Sequence, residues 1–303
     1  MIVLRPHQKA AIDFAVSTLG KAPARALAQL PTGSGKSLVK LFVAREWLRR
    51  GRRALLLTPS NLTLSKLYAD ARSLGMQVSV DWNVHRARRD DEFVIATYQT
   101  AWNRFDKHIS NGTLLILDEA HHINVHAEAN QAIYHAFDHV FGVSASPWSS
   151  QCESFFPNLH RYSLRQAVAD GCNCEFELSP FCEVPEGKFQ IVYCPTSQRV
   201  RETAQVIPHS DWVLCERDDS LSVLRKFREG KVGTMVVNRK LTEGFDLPAV
   251  KRIWITRETI SPILAYQMLG RALRPYQGQR AQCFIQHPKT RKTLENALSL
   301  AGW

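Results

Sequence analysis

The stretch Ala24-Arg25-Ala26-Leu27-Ala28-Gln29-Leu30-Pro31-Thr32-Gly33-Ser34-Gly35-Lys36-Ser37 decides the fold. Its first half is an apolar run of strand length, and residues 38–50 after it carry apolar side chains at helical spacing. Between them, two glycines, a lysine and a serine are packed into a turn. A phosphate-binding loop needs that context. Glycines let backbone N–H groups close around an anion, and the following helix N-terminus favours negative charge. In this reading Thr32, Gly33, Ser34, Gly35, Lys36 and Ser37 cradle phosphates, Lys36 meets the terminal ones, and Ser37 ligates Mg2+. The loop departs from the general pattern at its first position, where Leu30 replaces glycine.

The same alternation spreads outward. Residues 54–58, 93–96, 114–117 and 140–144 read as further buried strands, and 62–74 as a further helix. A second series begins near Gln190, with strands expected over 190–194, 212–214, 234–237, 252–256 and 281–286. Helices are expected over 197–206, 220–229, 263–273 and 289–301. Strands alternating with helices predict an α/β fold with mostly parallel sheets flanked by helices. A chain of 303 residues suits two such domains. The Pro-, Cys- and Glu-containing stretch 148–188 marks the boundary, giving a first domain over 1–158 and a linker with the second over 159–303.

Lys and Arg outnumber Asp and Glu by 39 to 28, and the formal charge of +11 favours a polyanionic partner. The excess is spread along the chain, with one cluster at Arg86, Arg88 and Arg89. Nothing reads as a membrane span or a signal peptide, so no membrane partner is expected and the chain is assigned to the cytoplasm of a bacterial or phage-infected cell. Seven cysteines argue against a disulfide framework. Cys152, Cys172, Cys174 and Cys182 fall close together, but their tight pair is Cys-Asn-Cys rather than Cys-x-x-Cys, so buried thiols are expected rather than a metal site. His121, His122 and His126 lack a matching ligand set and are read the same way.

Two further motifs carry chemistry. Leu114-Leu115-Ile116-Leu117-Asp118-Glu119-Ala120-His121 is an apolar strand that delivers two carboxylates to the edge where α/β sheets bind ligands. Asp118 would hold Mg2+ through water, while Glu119 polarises the attacking water. In Tyr266-Gln267-Met268-Leu269-Gly270-Arg271-Ala272-Leu273-Arg274, a continuous helix puts Gln267, Arg271 and Arg274 on one face. Two guanidiniums so placed can neutralise charge developing on a γ-phosphate.

Taken in order, these motifs resemble those of superfamily 2 helicases and translocases over nearly the whole chain. The resemblance implies two tandem RecA-like domains that hydrolyse ATP with Mg2+ in the cleft between them while gripping nucleic acid. Arg5-Pro6-His7-Gln8 is similar to the family's adenine-reading motif, which implies nucleotide contacts for Arg5 and Gln8. Thr58-Pro59-Ser60, with Asn61, and Thr97-Tyr98-Gln99 look like motifs Ia and Ib, implying that Pro59, Ser60, Asn61, Thr97, Tyr98 and Gln99 touch the nucleic-acid backbone. Ser144-Ala145-Ser146-Pro147 resembles motif III, implied to couple strand binding to hydrolysis through His121. Cys194-Pro195-Thr196 is a weak motif IV, with Thr196 at the nucleic acid. The stretch 241–248 resembles motif V, with Thr242 at the nucleic acid and Gly244 and Asp246 at the nucleotide.

Motif II is spelled Asp-Glu-Ala-His, yet Gly270-Arg271-Ala272-Leu273-Arg274-Pro275 is more similar to the type III restriction, XPB and phage recombination group. That similarity favours DNA over RNA, with backbone contacts and little sequence preference. A protein partner supplying specificity is compatible with so compact a chain. The competing reading is an ATP-gated module that clamps a strand or recruits a partner without processive movement.

Overall fold

The computed structural model describes residues 2–20, 23–82, 86–88, 90–104, 112–123, 134–214, 220–238, 250–275 and 278–303. The chain forms two compact units, Met1–Ser163 and Leu164–Trp303.

In the first unit, the strands are β1 (Ala24–Gln29), β2 (Ala54–Thr58), β3 (Ser79–Asp81), β4 (Phe93–Thr97), β5 (Leu114–Asp118), β6 (His139–Ser144) and β7 (Asn158–Arg161). They form a parallel sheet in the order β3-β4-β2-β5-β6-β1-β7. The central strands carry no polar alternation because both faces are covered: every residue of β2, β4, β5 and β6 is buried. Helices α1 (Pro6–Leu19), α2 (Lys36–Leu48), α3 (Asn61–Ser73), α4 (Tyr98–Arg104) and α5 (Ser150–Phe155) join them. Pro6 opens α1 at a position where a missing N–H costs nothing.

The second unit contains β8 (Phe176–Pro180), β9 (Gln190–Tyr193), β10 (Ser210–Val213), β11 (Thr234–Val237), β12 (Arg252–Ile255) and β13 (Ala281–Ile285). Its parallel sheet runs β10-β11-β9-β12-β13-β8. Its helices are α6 (Leu164–Ala169), α7 (Ser197–Val206), α8 (Ser220–Arg228), α9 (Pro262–Gly270) and α10 (Pro288–Leu300).

Three differences from the sequence reading have physical causes. A division after residue 158 would cut β7, which pairs with β1, and would strand Tyr162, whose N–H donates to the Gln29 carbonyl at 3.0 Å. The first unit therefore extends through Ser163. The supposed linker holds two edge strands, β7 and β8, whose half-exposed, partly polar residues give no continuous apolar run. Helix α9 stops at Gly270 instead of running on to 273. The carbonyls of Ala272, Leu273 and Arg274 accept instead from Cys174, Asn173 and Lys251, outside the helix.

Candidate nucleotide-binding site

The loop after β1 has the backbone that an anion cradle requires. Gly33 and Gly35 sit at φ 85° and 82°, left-handed values that favour glycine. A Cβ on Gly35 would collide with the Gln8 Nε2. The loop is braced from below. Buried Ser34 donates its hydroxyl to the Pro31 carbonyl at 2.7 Å, and its own carbonyl accepts from Gln8 Nε2 at 3.0 Å. His7 Nε2 lies 2.9 Å from the same oxygen, and the His7 ring stacks on Tyr162 at 4.4 Å.

Gln8 also braces the loop itself. Its amide nitrogen donates to the loop and its Oε1 accepts the Arg5 N–H at 2.9 Å, so the carboxamide holds the cradle. Only 4% of Gln8 is exposed. Arg5 caps α1 and is itself exposed.

Strand β5 delivers Asp118, 3% exposed, to the edge of the sheet. Its Oδ1 is paired with the Lys40 ammonium, and its Oδ2 accepts from Thr58 Oγ1 at 3.2 Å. The Tyr98 hydroxyl donates to the Asp118 carbonyl at 2.8 Å. Glu119 then adopts φ 49°, left-handed for a residue with a side chain. Such a conformation costs on the order of 1–3 kcal/mol and persists only when its surroundings enforce it. The turn brings the Glu119 carboxylate 3.8 Å from Lys36 Nζ and 3.5 Å from His121 Nδ1. His121 Nδ1 also lies 2.9 Å from Ser144 Oγ, which in turn accepts the Ser146 N–H at 3.1 Å. Within motif III, then, Ser144 meets His121, and the Ser146 hydroxyl does not.

The arrangement fits a nucleoside triphosphate. Left-handed Gly33 and Gly35 lead into the α2 N-terminus, where Lys36 and Ser37 are the first two residues. A divalent ion fits at Asp118 through water, since both carboxylate oxygens already have protein partners.

The expected nucleic-acid face divides. Ser60 accepts the Thr63 N–H and Thr97 Oγ1 accepts the Thr100 N–H, each at 3.2 Å, so both cap helices that begin where the neighbouring strands β2 and β4 end. Asn61 and Gln99 are exposed there, and Pro59 is half-buried. Tyr98 is not part of this face. It is buried beneath Asp118, and burial with the nearby carboxylates pushes its phenol well above the ordinary range. In the second unit, exposed Thr196 repeats the capping device, accepting the Arg199 N–H at 3.2 Å. Thr242, Gly244 and Asp246 lie outside the described residues.

Gln267 and Arg271 are 7% and 8% exposed, and Arg274 is half-buried. Because α9 ends early, Arg271 is its C-cap and Arg274 lies beyond it, so the three do not share one helical face. The turn carrying the arginines is held through its carbonyls. Cys174 N–H and Asn173 Nδ2 donate to Leu273 O at 2.8 and 3.1 Å, Cys174 Sγ to Ala272 O at 3.4 Å, and Lys251 Nζ to Arg274 O. Burial lowers the Lys251 pKa and raises that of Cys174, and each opposes the other's shift.

Sequence reasoning missed Lys40, the roles of His7, Thr58 and Tyr98 as braces, and the Asn173–Lys251 clamp. Lys40 left a signal: it is the lone charge in Leu38-Val39-Lys40-Leu41-Phe42-Val43-Ala44. The cysteines are dispersed. Cys152 lies in the first unit's core, its thiol pushed up to about 12, chiefly by burial, whereas Cys172 and Cys174 belong to the second unit. Among the described residues, no three His, Cys, Asp or Glu side chains form a metal-binding group, and no helix is long and apolar enough to cross a membrane.

Residues 1–149 match the family described as "Type III restriction enzyme, res subunit". A Saccharomyces cerevisiae protein assigned as an ATP-dependent helicase, Irc3, is 22% identical over an alignment covering 90% of this chain and 49% of that protein. The chain thus spans about half the length of the curated relative it matches. Solved structures share the fold. A fragment assigned as the HsdR subunit of a type I restriction enzyme from Vibrio vulnificus superposes with a TM-score of 0.80 at 19% identity, covering 98% of this chain and 66% of the fragment. The type ISP restriction-modification enzyme LlaBIII bound to DNA gives 0.73 at 14%, covering 99% of this chain and 30% of that one. S. cerevisiae Dbp5 bound to RNA and ADP BeF3 gives 0.68 at 14%, covering 99% and 92%. Both units are accordingly RecA-like.

Proposed function

Starting from a chain that belongs to the superfamily 2 helicases and resembles the type III restriction group, we propose that it hydrolyses ATP to move along or remodel DNA, with RNA the less favoured polymer. Membership of that superfamily implies ATP use and a nucleic-acid partner.

One observation carries the reading. The strained backbone of Glu119 brings its carboxylate between Lys36 and His121, at 3.8 and 3.5 Å. A carboxylate held beside the phosphate-binding lysine is placed to orient water and take its proton. Bound ATP supplies the phosphoryl group, and Mg2+ neutralises charge on its oxygens. Lys36 draws the terminal phosphates, and the loop N–H groups fix them. His121, bonded to Ser144, links Glu119 to motif III. Arg271 and Arg274 complete the site from the second unit when the two units close on nucleotide, and charge developing on the γ-phosphate is then neutralised. Repeated closure and release while both units hold one strand's phosphates constitutes a motor cycle. Contacts to backbone imply little sequence preference and a steep fall of binding with salt.

Steady-state ATPase measured without polymer and with single-stranded, duplex and forked DNA and with RNA tests this. Stimulation by DNA above RNA is expected. Turnover that none of these polymers accelerates would sink the motor reading, and nucleotide-dependent DNA retention without turnover would favour a clamp instead.

A further inference from the structure

Helix α2 buries Val39, Leu41, Phe42, Val43, Ala44 and Trp47, and among them it buries a lysine. Lys40 is 2% exposed. A buried ammonium is retained only with a partner that compensates its lost hydration. That partner is Asp118, the carboxylate assigned above to the divalent ion. Thr58 takes the other carboxylate oxygen at 3.2 Å, so Asp118 reaches the site with its charge balanced and both oxygens engaged.

Lys36 and Lys40 stand one helical turn apart and project from the same face of α2. Each meets one of the two consecutive acids: Lys36 lies 3.8 Å from Glu119, and Lys40 pairs with Asp118. The four groups sum to zero charge. With a single lysine, the same pair of acids would present a net negative pocket to a divalent ion. With two, the empty site carries no net charge and has little attraction for a free cation, and Lys36 is the lysine of the pair left open to a polyphosphate.

We propose that Lys40 is a positioning residue that serves Asp118 as an internal counter-cation. Divalent metal then enters only together with the nucleotide's phosphates, and the nucleotide itself binds with little dependence on metal. This inference rests on the reading of Asp118 as the metal-side carboxylate.

The test uses the full chain and its Lys40→Met and Lys40→Gln variants; the glutamine keeps a donor toward Asp118 without the charge, should the methionine variant fail to fold. Free Mn2+ is followed by electron paramagnetic resonance in the absence of nucleotide, and ADP affinity is measured by calorimetry with Mg2+ and with EDTA. The wild type should bind Mn2+ weakly, and either variant should bind it roughly tenfold tighter, as expected for removing one cation from contact with a carboxylate. The ratio of ADP affinities with and without Mg2+ should be close to one in the wild type and rise by a similar factor in the variants. Folded variants with wild-type Mn2+ affinity and an unchanged ADP ratio would overturn the role of Lys40. Asp118→Asn in the Lys40→Met background separates the two readings. It should abolish the tightened Mn2+ binding; if that binding survives, the ion sits away from Asp118, and the metal assignment on which the inference stands fails.

Discussion

The two units carry their candidate catalytic groups at the same kind of place, just past an apolar element, but hold them in opposite ways. In the first unit the motifs brace one another. Gln8 and His7 hold Ser34, Thr58 and Tyr98 hold Asp118, and Ser144 holds His121. In the second unit the turn bearing Arg271 and Arg274 is held by Asn173, Cys174 and Lys251, none of which belongs to a motif. The first unit's motif residues therefore form a self-supporting network, in which each candidate binding or catalytic group is braced by another. The arginine side is a pair of charges on a turn whose shape depends on a neighbouring segment.

That contrast is broken most directly by removing the charges themselves. Arg271→Ala should lower saturating turnover by about 10³-fold or more, the usual worth of an arginine that meets a transferring phosphoryl group. Glu119→Gln should lower it by about 10²–10³-fold, the scale of general-base catalysis. Neither change should weaken nucleotide binding, because Lys36 and the glycine loop remain. Single-turnover hydrolysis and nucleotide titration on both variants separate the effects. A tenfold loss of ADP affinity in Arg271→Ala would move that arginine from transition-state neutralisation to ground-state binding.

The contrast also explains what could be read in advance. The buried parallel strands were legible because a strand covered on both faces is an unbroken apolar run, as in Leu114-Leu115-Ile116-Leu117. The edge strands β3, β7 and β8 were not, since each is short and partly exposed. The phosphate loop was legible because its glycines and lysine are adjacent in sequence. The clamp on the arginine turn was not, because Asn173 meets a carbonyl 100 residues away, and nothing local to either residue announces the pairing. Gln8 was found from its motif, but its bonds to the phosphate loop were not. A motif says that a residue matters, and only the geometry says that its amide is spent on Ser34 O.

Gln8→Ala sharpens the first half of the comparison. It removes the bonds to Ser34 O and the Arg5 N–H, each worth about 0.5–1.5 kcal/mol. If the network is self-supporting through these braces, the loop loosens and nucleotide affinity falls by roughly tenfold, with a smaller change in saturating turnover. Titration with ATP, GTP and CTP decides the issue. A uniform loss across the three follows from a loosened cradle, whereas loss confined to ATP would return Gln8 to the adenine ring.

Asn173→Ala probes the second half and carries the smallest expected effect. The side chain is 2% exposed and its Nδ2 donates to Leu273 O, but that oxygen also accepts the Cys174 N–H at 2.8 Å and keeps one partner after truncation. The loss is then about 1 kcal/mol or less, enough to let the turn wander without unfolding the unit. Turnover at saturating ATP should fall about three- to fivefold, because a catalytic group displaced by a fraction of an ångström loses rate before the site loses affinity. ADP binding, which engages the first unit's cradle, should stay at the wild-type value. Thermal melting supplies the control: a variant that melts lower yet turns over normally would make Asn173 a strut of the second unit, with no part in aiming Arg271 and Arg274.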